Sequence, residues 1–171
     1  MAWRRGTFVP AEELGTGVHI PTGKRADVMP LTTEEREKFL AGPHIGALSV
    51  DSGEAGRAPL TVPIWYAYEP GGELWIITER DSRKARLIAA AGRFSLMADQ
   101  VTPRVRYVSV EGEVVSTRPT TDEELRAMVG RYLAPEAAAA YLRDVAPTFG
   151  PEVTIRMRPS RWLSADMGPG E

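Results

Sequence analysis

The sequence predicts a mainly β fold, a small antiparallel barrel or sandwich with helices added at its periphery. Three observations carry that expectation. Short apolar or alternating runs ("HIGALSV", "RAPLTVPIWYAY", "ELWIIT", "RFSLMAD") are separated by brief Gly-, Pro- and Asp-containing turn signals, the pattern of strands joined by hairpins. Helical patterns interrupt this series at only a few points, unlike the regular strand–helix alternation of a parallel doubly wound sheet. A chain of 171 residues, 43% of them hydrophobic, is long enough for one buried core and short for two.

Taken in order, residues 1–30 hold Pro10, Gly15, Gly17, Pro21, Gly23 and Pro30 with no sustained period. They read as an N-terminal arm over the domain or a partner subunit, or as disorder; residues 31–171 form the domain. "LTTEEREKFLAGP" sets Thr32 three residues before Glu35, a capping-box spacing, and closes on Gly42-Pro43, which predicts a short helix. "HIGALSV" is a first strand and "RAPLTVPIWYAY" a second. In the latter, Leu60, Val62, Ile64, Tyr66 and Tyr68 share one face, and Pro63 demands an edge or a bulge because it cannot donate to a ladder. "EPGG" turns into "ELWIIT", a hairpin partner.

Residues 82–91 form one helix opened by Ser82 and ended by Gly92. "RFSLMAD" returns as a strand, and "RVRYVSVEGEVVST" is a long one in which Gly112 marks a bulge or a close approach. "TTDEELRAMVGRYL", with Thr121 and Glu124 at capping-box spacing, and "PEAAAAYLRDVA" are two helices. A last strand, "EVTIRMRP", leads into "SRWLSADM".

Composition narrows the function. A net charge of −2 and a pI near 5.8 give no basic field for nucleic acid or an anionic membrane. The absence of cysteine removes thiolate nucleophiles, disulfides and cysteine-ligated metals. No run approaches a membrane span, and the amino terminus has no apolar signal-peptide core, so a soluble, cytoplasmic protein is expected. His19 and His44 are the only histidines, too few and too far apart for a multi-histidine metal centre; no metal site is expected. The glutamates at 34, 35, 37, 123 and 124 lie where helix starts favour negative charge. No Walker or Rossmann glycine pattern is present. If the domain is an enzyme, a bound cofactor carries the chemistry and catalytic side chains stay unassigned.

The candidate holding point is "TERDSRKARL". Thr78 ends a strand and Ser82 opens a helix whose first turns carry Arg83, Lys84 and Arg86. Cations there oppose the positive end of the helix dipole, at about 0.3–1 kcal/mol each, and a phosphate would reverse the sign. A solvated basic face pairing with Glu79 and Asp81 is the other reading. Trp65, Trp75, Tyr66 and Tyr68 either line a groove for a flat ring or fill the core.

"LTTEEREKFLAGPHIGALSV", "PLTVPIWYAYEPGGELWIITERDSRKARLI", "RFSL" and "RYVSVEGEV" together resemble the pyridoxamine 5′-phosphate oxidase-like split-barrel flavoproteins, in the branch of FMN- and coenzyme F420-dependent oxidoreductases. The likeness runs from about residue 31 to residue 165. It implies a split β-barrel of about six antiparallel strands with peripheral helices. It also implies a homodimer with FMN, or alternatively F420, at the subunit interface, and hydride transfer to a small organic substrate. A non-catalytic flavin or F420 carrier, a redox sensor, or a haem protein using His44 or His19 is the alternative.

By the same resemblance Thr61, Val62, Pro63 and Ile64 run along the isoalloxazine, with Ile76, Ile77 and Thr78 beside them. Ser82, Arg83, Lys84 and Arg86 hold the phosphate, and Gln100, Tyr107 or Trp162 reach the cofactor from the other subunit. F420-binding relatives have an Arg-Asn-Leu run where this chain has Arg86-Leu87. Pyridoxamine phosphate oxidases proper end on an arginine- and histidine-containing segment where this chain has "PSRWLSADMGPGE", so that vitamin-forming activity is not implied.

Overall fold

In the computed structural model, which describes residues 29–170, helix α1 (Thr33–Leu40) starts at the expected capping box. Thr32 Oγ1 accepts the Glu35 N–H at 3.2 Å, and the Glu35 carboxylate accepts the Thr32 N–H at 2.9 Å. The expected arm lies outside the described residues except for Met29 and Pro30. Met29 exchanges backbone hydrogen bonds of 3.1 and 2.9 Å with Asp166.

Seven strands follow: β1 (Gly46–Val50), β2 (Leu60–Ile64), β3 (Tyr66–Ala67), β4 (Leu74–Glu79), β5 (Arg93–Gln100), β6 (Arg104–Pro119) and β7 (Glu152–Pro169). They form one sheet in the order β2-β1-β5-β6-β7-β4-β3, every pairing antiparallel. Its two terminal strands, β2 and β3, are separated in the chain by Trp65 alone. The ends of the sheet are therefore brought together without pairing, and the barrel is split rather than closed.

The seam corrects two expectations. The run from Leu60 to Tyr68 was expected as one strand, giving about six in all. It breaks at Trp65 because the Tyr66 N–H goes to the Tyr132 hydroxyl at 3.0 Å, while the Trp65 indole stacks on Tyr132, ring centroids 4.9 Å apart. The last strand was expected to end near Pro159, yet it continues to Pro169 against β6. Pro63 sits on the edge strand β2, as its missing donor requires. Gly112 marks a register shift in the β6–β7 ladder, and a methyl group there would collide with the Arg158 carbonyl oxygen.

Alternation fills the interior with Leu48, Tyr66, Leu74, Ile76, Leu96, Val108, Val110, Ile155 and Met157, all at most 1% exposed, and Leu40 of α1 joins them. Tyr66 and Tyr68 are thus core, not groove. Helix α2 (Arg83–Ala91) ends at Gly92, whose φ of 65° is the left-handed cap that glycine adopts freely. Helix α3 (Asp122–Tyr132) has its capping box at Thr121 and Glu124. Helix α4 (Pro135–Ala140) continues as a wide turn, Tyr141–Val145, and a tight one, Ala146–Thr148.

Glu124 clamps α3 to the sheet. Its buried carboxylate accepts from Arg118 at 2.6 and 3.1 Å, Arg156 at 2.9 Å and Thr154 at 3.0 Å. Among the described residues no helix is long and apolar enough to cross a membrane.

Candidate functional site

The split itself is a cleft of about 400 Å³, lined by Pro63 and Ile64 of β2, Trp65, Ile77, Thr78 and Glu79 of β4, and Lys84 of α2, with Ile45, Tyr141, Phe149 and Glu152 completing the wall. Its volume lies within the range of small-molecule sites. Both flanking strands present unpaired edges. β2 pairs only with β1. β3 covers β4 only at Trp75 and Ile76, so Ile77, Thr78 and Glu79 have no ladder partner on the side away from β7. Backbone N–H and C=O groups left free in this way need partners, and solvent or a flat heterocycle with a polar edge can supply them.

One end of the cleft carries the charge. Ser82 caps α2, its Oγ accepting the Ala85 N–H at 3.3 Å and lying 3.1 Å from the buried Thr78 hydroxyl. The first-turn amides of Arg83 and Lys84 have no intrahelical acceptor, and the first turn holds no acid. Arg83 turns to Glu54 at 3.7 Å, and Arg86 donates to the Asp81 carbonyl oxygen at 2.6 Å. Lys84 alone of the three faces the cleft, and among the described residues it makes no ion pair.

The same cleft holds Glu79 and Glu152, directly paired across β4 and β7, and the Glu79 carbonyl oxygen accepts the Ser82 N–H at 3.1 Å. Burial, and then the neighbouring Glu79 carboxylate, push the Glu152 carboxyl above the usual carboxylate range. Glu79 is held by the Gly150 N–H at 3.0 Å.

The structure therefore brings Pro63, Ile64, Ile77, Thr78 and Lys84 together, with Ser82 one hydrogen bond behind. Thr61 is on the same edge strand, its hydroxyl 2.7 Å from that of Ser49. Val62 packs inward and Ile76 is wholly buried in the core, so neither side chain faces a ligand in the cleft. Arg83 and Arg86 do not line it. Gln100 and Tyr107 lie elsewhere, in a groove of about 450 Å³ on the outer face of β5, β6 and β7, with Met97, Val101, Leu163 and Met167.

Trp162 faces the other way. It packs on the core, edge-on to Tyr68 at 5.9 Å and under the Arg36 guanidinium at 4.8 Å, which removes it from the residues expected to reach a partner's cofactor. Trp75 lies under Arg156 at 5.3 Å, not in the cleft. His44 is an α1 post: its Nε2–H donates to the Phe39 carbonyl oxygen at 3.1 Å and its ring stacks on Phe39 at 4.3 Å. Burial pushes its pKa below the ordinary imidazole value. That arrangement does not suit a haem ligand, and His19 lies outside the described residues. No group of three or more metal-ligating side chains occurs among the described residues.

Tyr132, Tyr141 and Glu152 were not foreseen. Tyr132 closes contacts with His44 and Tyr66, 88 and 66 residues away, and no local periodicity reports such a pairing. The glutamates carried a signal, two acids at the ends of strands, that becomes visible only once β4 is known to pair with β7.

Residues 32–165 match the Pyridoxamine 5′-phosphate oxidase family; the chain belongs to it. Among solved structures, the conserved hypothetical protein Rv2991 of Mycobacterium tuberculosis shares 24% identity at a TM-score of 0.59, over 85% of this chain and 91% of that one. A protein named F420 reductase shares 22% at 0.56, over 74% and 94%. A FAD-binding protein of Mesorhizobium loti shares 19% at 0.57, over 81% and 97%. At these identities the likeness is one of fold. No curated protein matches the chain.

Proposed function

We propose that this protein is a homodimeric oxidoreductase that holds FMN, with F420 as the alternative cofactor, in the split between β2 and β4. The observation that carries the reading is the coincidence, in one cleft, of two unpaired strand edges and a lysine without an ion pair beside a helix N-terminus that holds no acid. The edges suit the polar rim of an isoalloxazine or deazaflavin ring, and the lysine with the α2 amides suits its phosphate. Family membership and the names of two similar structures, F420 reductase and FAD-binding protein, support the same choice.

When bound, the cofactor supplies hydride chemistry toward a small organic acceptor. The chain's part is to place it. Lys84 and Ser82 anchor the phosphate, Pro63, Ile64 and Ile77 exclude water from the ring, and the β4 backbone orients the ring's polar edge. The outer face of β5, β6 and β7 receives a second copy, and Gln100 and Tyr107 of each copy lie at that interface.

Titration of cofactor-stripped protein with FMN, F420 and riboflavin, read by fluorescence, tests the site. The wild type binds FMN or F420, and Lys84→Ala weakens FMN at least about tenfold, equivalent to about 1.4 kcal/mol. It leaves riboflavin, which has no phosphate, unchanged. Binding of neither FMN nor F420 refutes the reading. Reduction of the bound cofactor by a nicotinamide donor, with reoxidation by a quinone, separates an enzyme from a carrier that holds flavin without turnover.

A further inference from the structure

Resting on that reading, we infer that Tyr132 is the positioning residue that sets the width of the split. The chain leaves one end of the sheet at Ile64 and joins the other at Tyr66, and the only residue between them is Trp65. At that crossing the Tyr132 hydroxyl meets three backbone atoms: it accepts the Tyr66 N–H at 3.0 Å and lies 2.8 Å from the Tyr66 carbonyl oxygen and 2.9 Å from that of His44. With one proton to give, it shares that proton between the two carbonyls. It thereby ties the start of β3 to the residues that lead into β1, the strand on which β2 rests.

The ring completes the clamp. Trp65 lies parallel to Tyr132, 6° between planes, with Tyr141 tilted on it at 5.6 Å. Tyr141, which lines the cleft, begins the wide helical turn Tyr141–Val145, a distortion frequent at functional sites. Arg131, next to Tyr132, donates to the Ala41 and Gly42 carbonyl oxygens at 2.8 and 2.6 Å, so α3 is anchored to α1 at the same place. A second, longer hydrogen bond joins the same parts, from the Tyr66 hydroxyl to the Gly42 carbonyl oxygen at 3.3 Å, but the Tyr132 hydroxyl alone meets backbone atoms on both sides of the crossing. On this inference the hydroxyl, by holding Tyr66 and His44 together, sets where Pro63 and Ile64 stand relative to Ile77 across the cleft.

The consequence is specific to the ring end of the ligand. Tyr132→Phe keeps the stack on Trp65 and removes only the hydroxyl, so the split loosens where Pro63 and Ile64 line it, while Lys84, on α2, is untouched. FMN and riboflavin affinities should fall by the same factor, about tenfold, leaving their ratio at the wild-type value. Thr121→Ala, at the other end of α3, removes a cap of the kind worth about as much stability and should lower Tm with no loss of flavin affinity. Equal flavin binding by Tyr132→Phe and Thr121→Ala, or a Tyr132→Phe loss confined to FMN, would overturn the positioning role. A wild type that binds neither flavin nor F420 instead brings down the cofactor reading, and the positioning role with it.

Discussion

Glu124 shows at the scale of one residue what holds the insertion in place. A carboxylate 8% exposed would be costly alone. Burial raises its proton affinity, but hydrogen bonds from Arg156, the Thr121 backbone and Thr154, with the charge of Arg118, outweigh it and hold the pKa below the ordinary value. A depressed folded pKa contributes stability that is present above the unfolded value and is lost as pH falls through the folded one. Glu124→Ala should cost about 2–3 kcal/mol at neutral pH, because two guanidinium groups lose a buried partner, and urea unfolding measures it. The difference between wild type and variant should shrink on acidification below the ordinary glutamate range.

Glu152 has the opposite sign. Its folded pKa is raised, so the stability linked to it is full below the unfolded pKa and is lost as pH rises through the folded value. Glu152→Gln should therefore stabilise the cofactor-free protein at neutral pH by a few tenths of a kcal/mol, the scale of a directly opposed like-charge pair. The gain should vanish in acid, where both carboxyls are protonated. Unfolding curves that show Glu152→Gln less stable at neutral pH would refute the assigned repulsion from Glu79.

Among the elements, those governed by neighbouring residues were legible in advance. Thr32 and Glu35, Ser82 and Gly92, and Thr121 and Glu124 bound their helices where capping chemistry puts them, since these contacts span three residues or terminate one helix. Pro63 restricted β2 to an edge or a bulge, and the edge is what the sheet order gives. The break at Trp65 did not, because the competitor for the Tyr66 N–H is a tyrosine hydroxyl 66 residues downstream. The same holds for the extent of β7. Its second half, "SRWLSADMGP", has no clean alternation and is a strand because β6 offers a ladder to Arg104.

At the site, the charged end was readable as an unfavourable placement of cations, which is a local property. The roles of individual cations were not, since Glu54, which takes Arg83, comes from another loop. Gly112 illustrates how an element depends on a single missing atom. Gly112→Ala must displace the Arg158 backbone and should destabilise by about 3 kcal/mol, at the upper end of overpacking costs. A thermal melt indistinguishable from wild type would show that the β6–β7 ladder can shift to admit a methyl group.

At the scale of the whole molecule, one sheet face is unpartnered among the described residues. The pairing registers align Met97 of β5, Ser109 of β6 and Leu163 of β7 in a row across the outer surface. Leu163 is 63% and Val101 59% exposed, with Met167 close by. Apolar side chains gathered in this way on a sheet, rather than scattered singly, mark an interaction surface. The proposed second copy covers it, with Gln100 and Tyr107 bordering the covered groove; on the proposed reading, in which the second copy completes the cofactor site, dimerisation and cofactor retention are one equilibrium, because a ligand held partly by each copy stabilises the dimer by mass action. Leu163→Asp places a charge at the centre of that face without touching the core of its own subunit. It should shift the protein to monomer in light scattering and weaken FMN at least about tenfold, whereas Lys84→Ala should weaken FMN and leave the cofactor-free dimer intact. A Leu163→Asp protein that remains dimeric would place the interface elsewhere, and a monomer that keeps full FMN affinity would place the whole site within one chain.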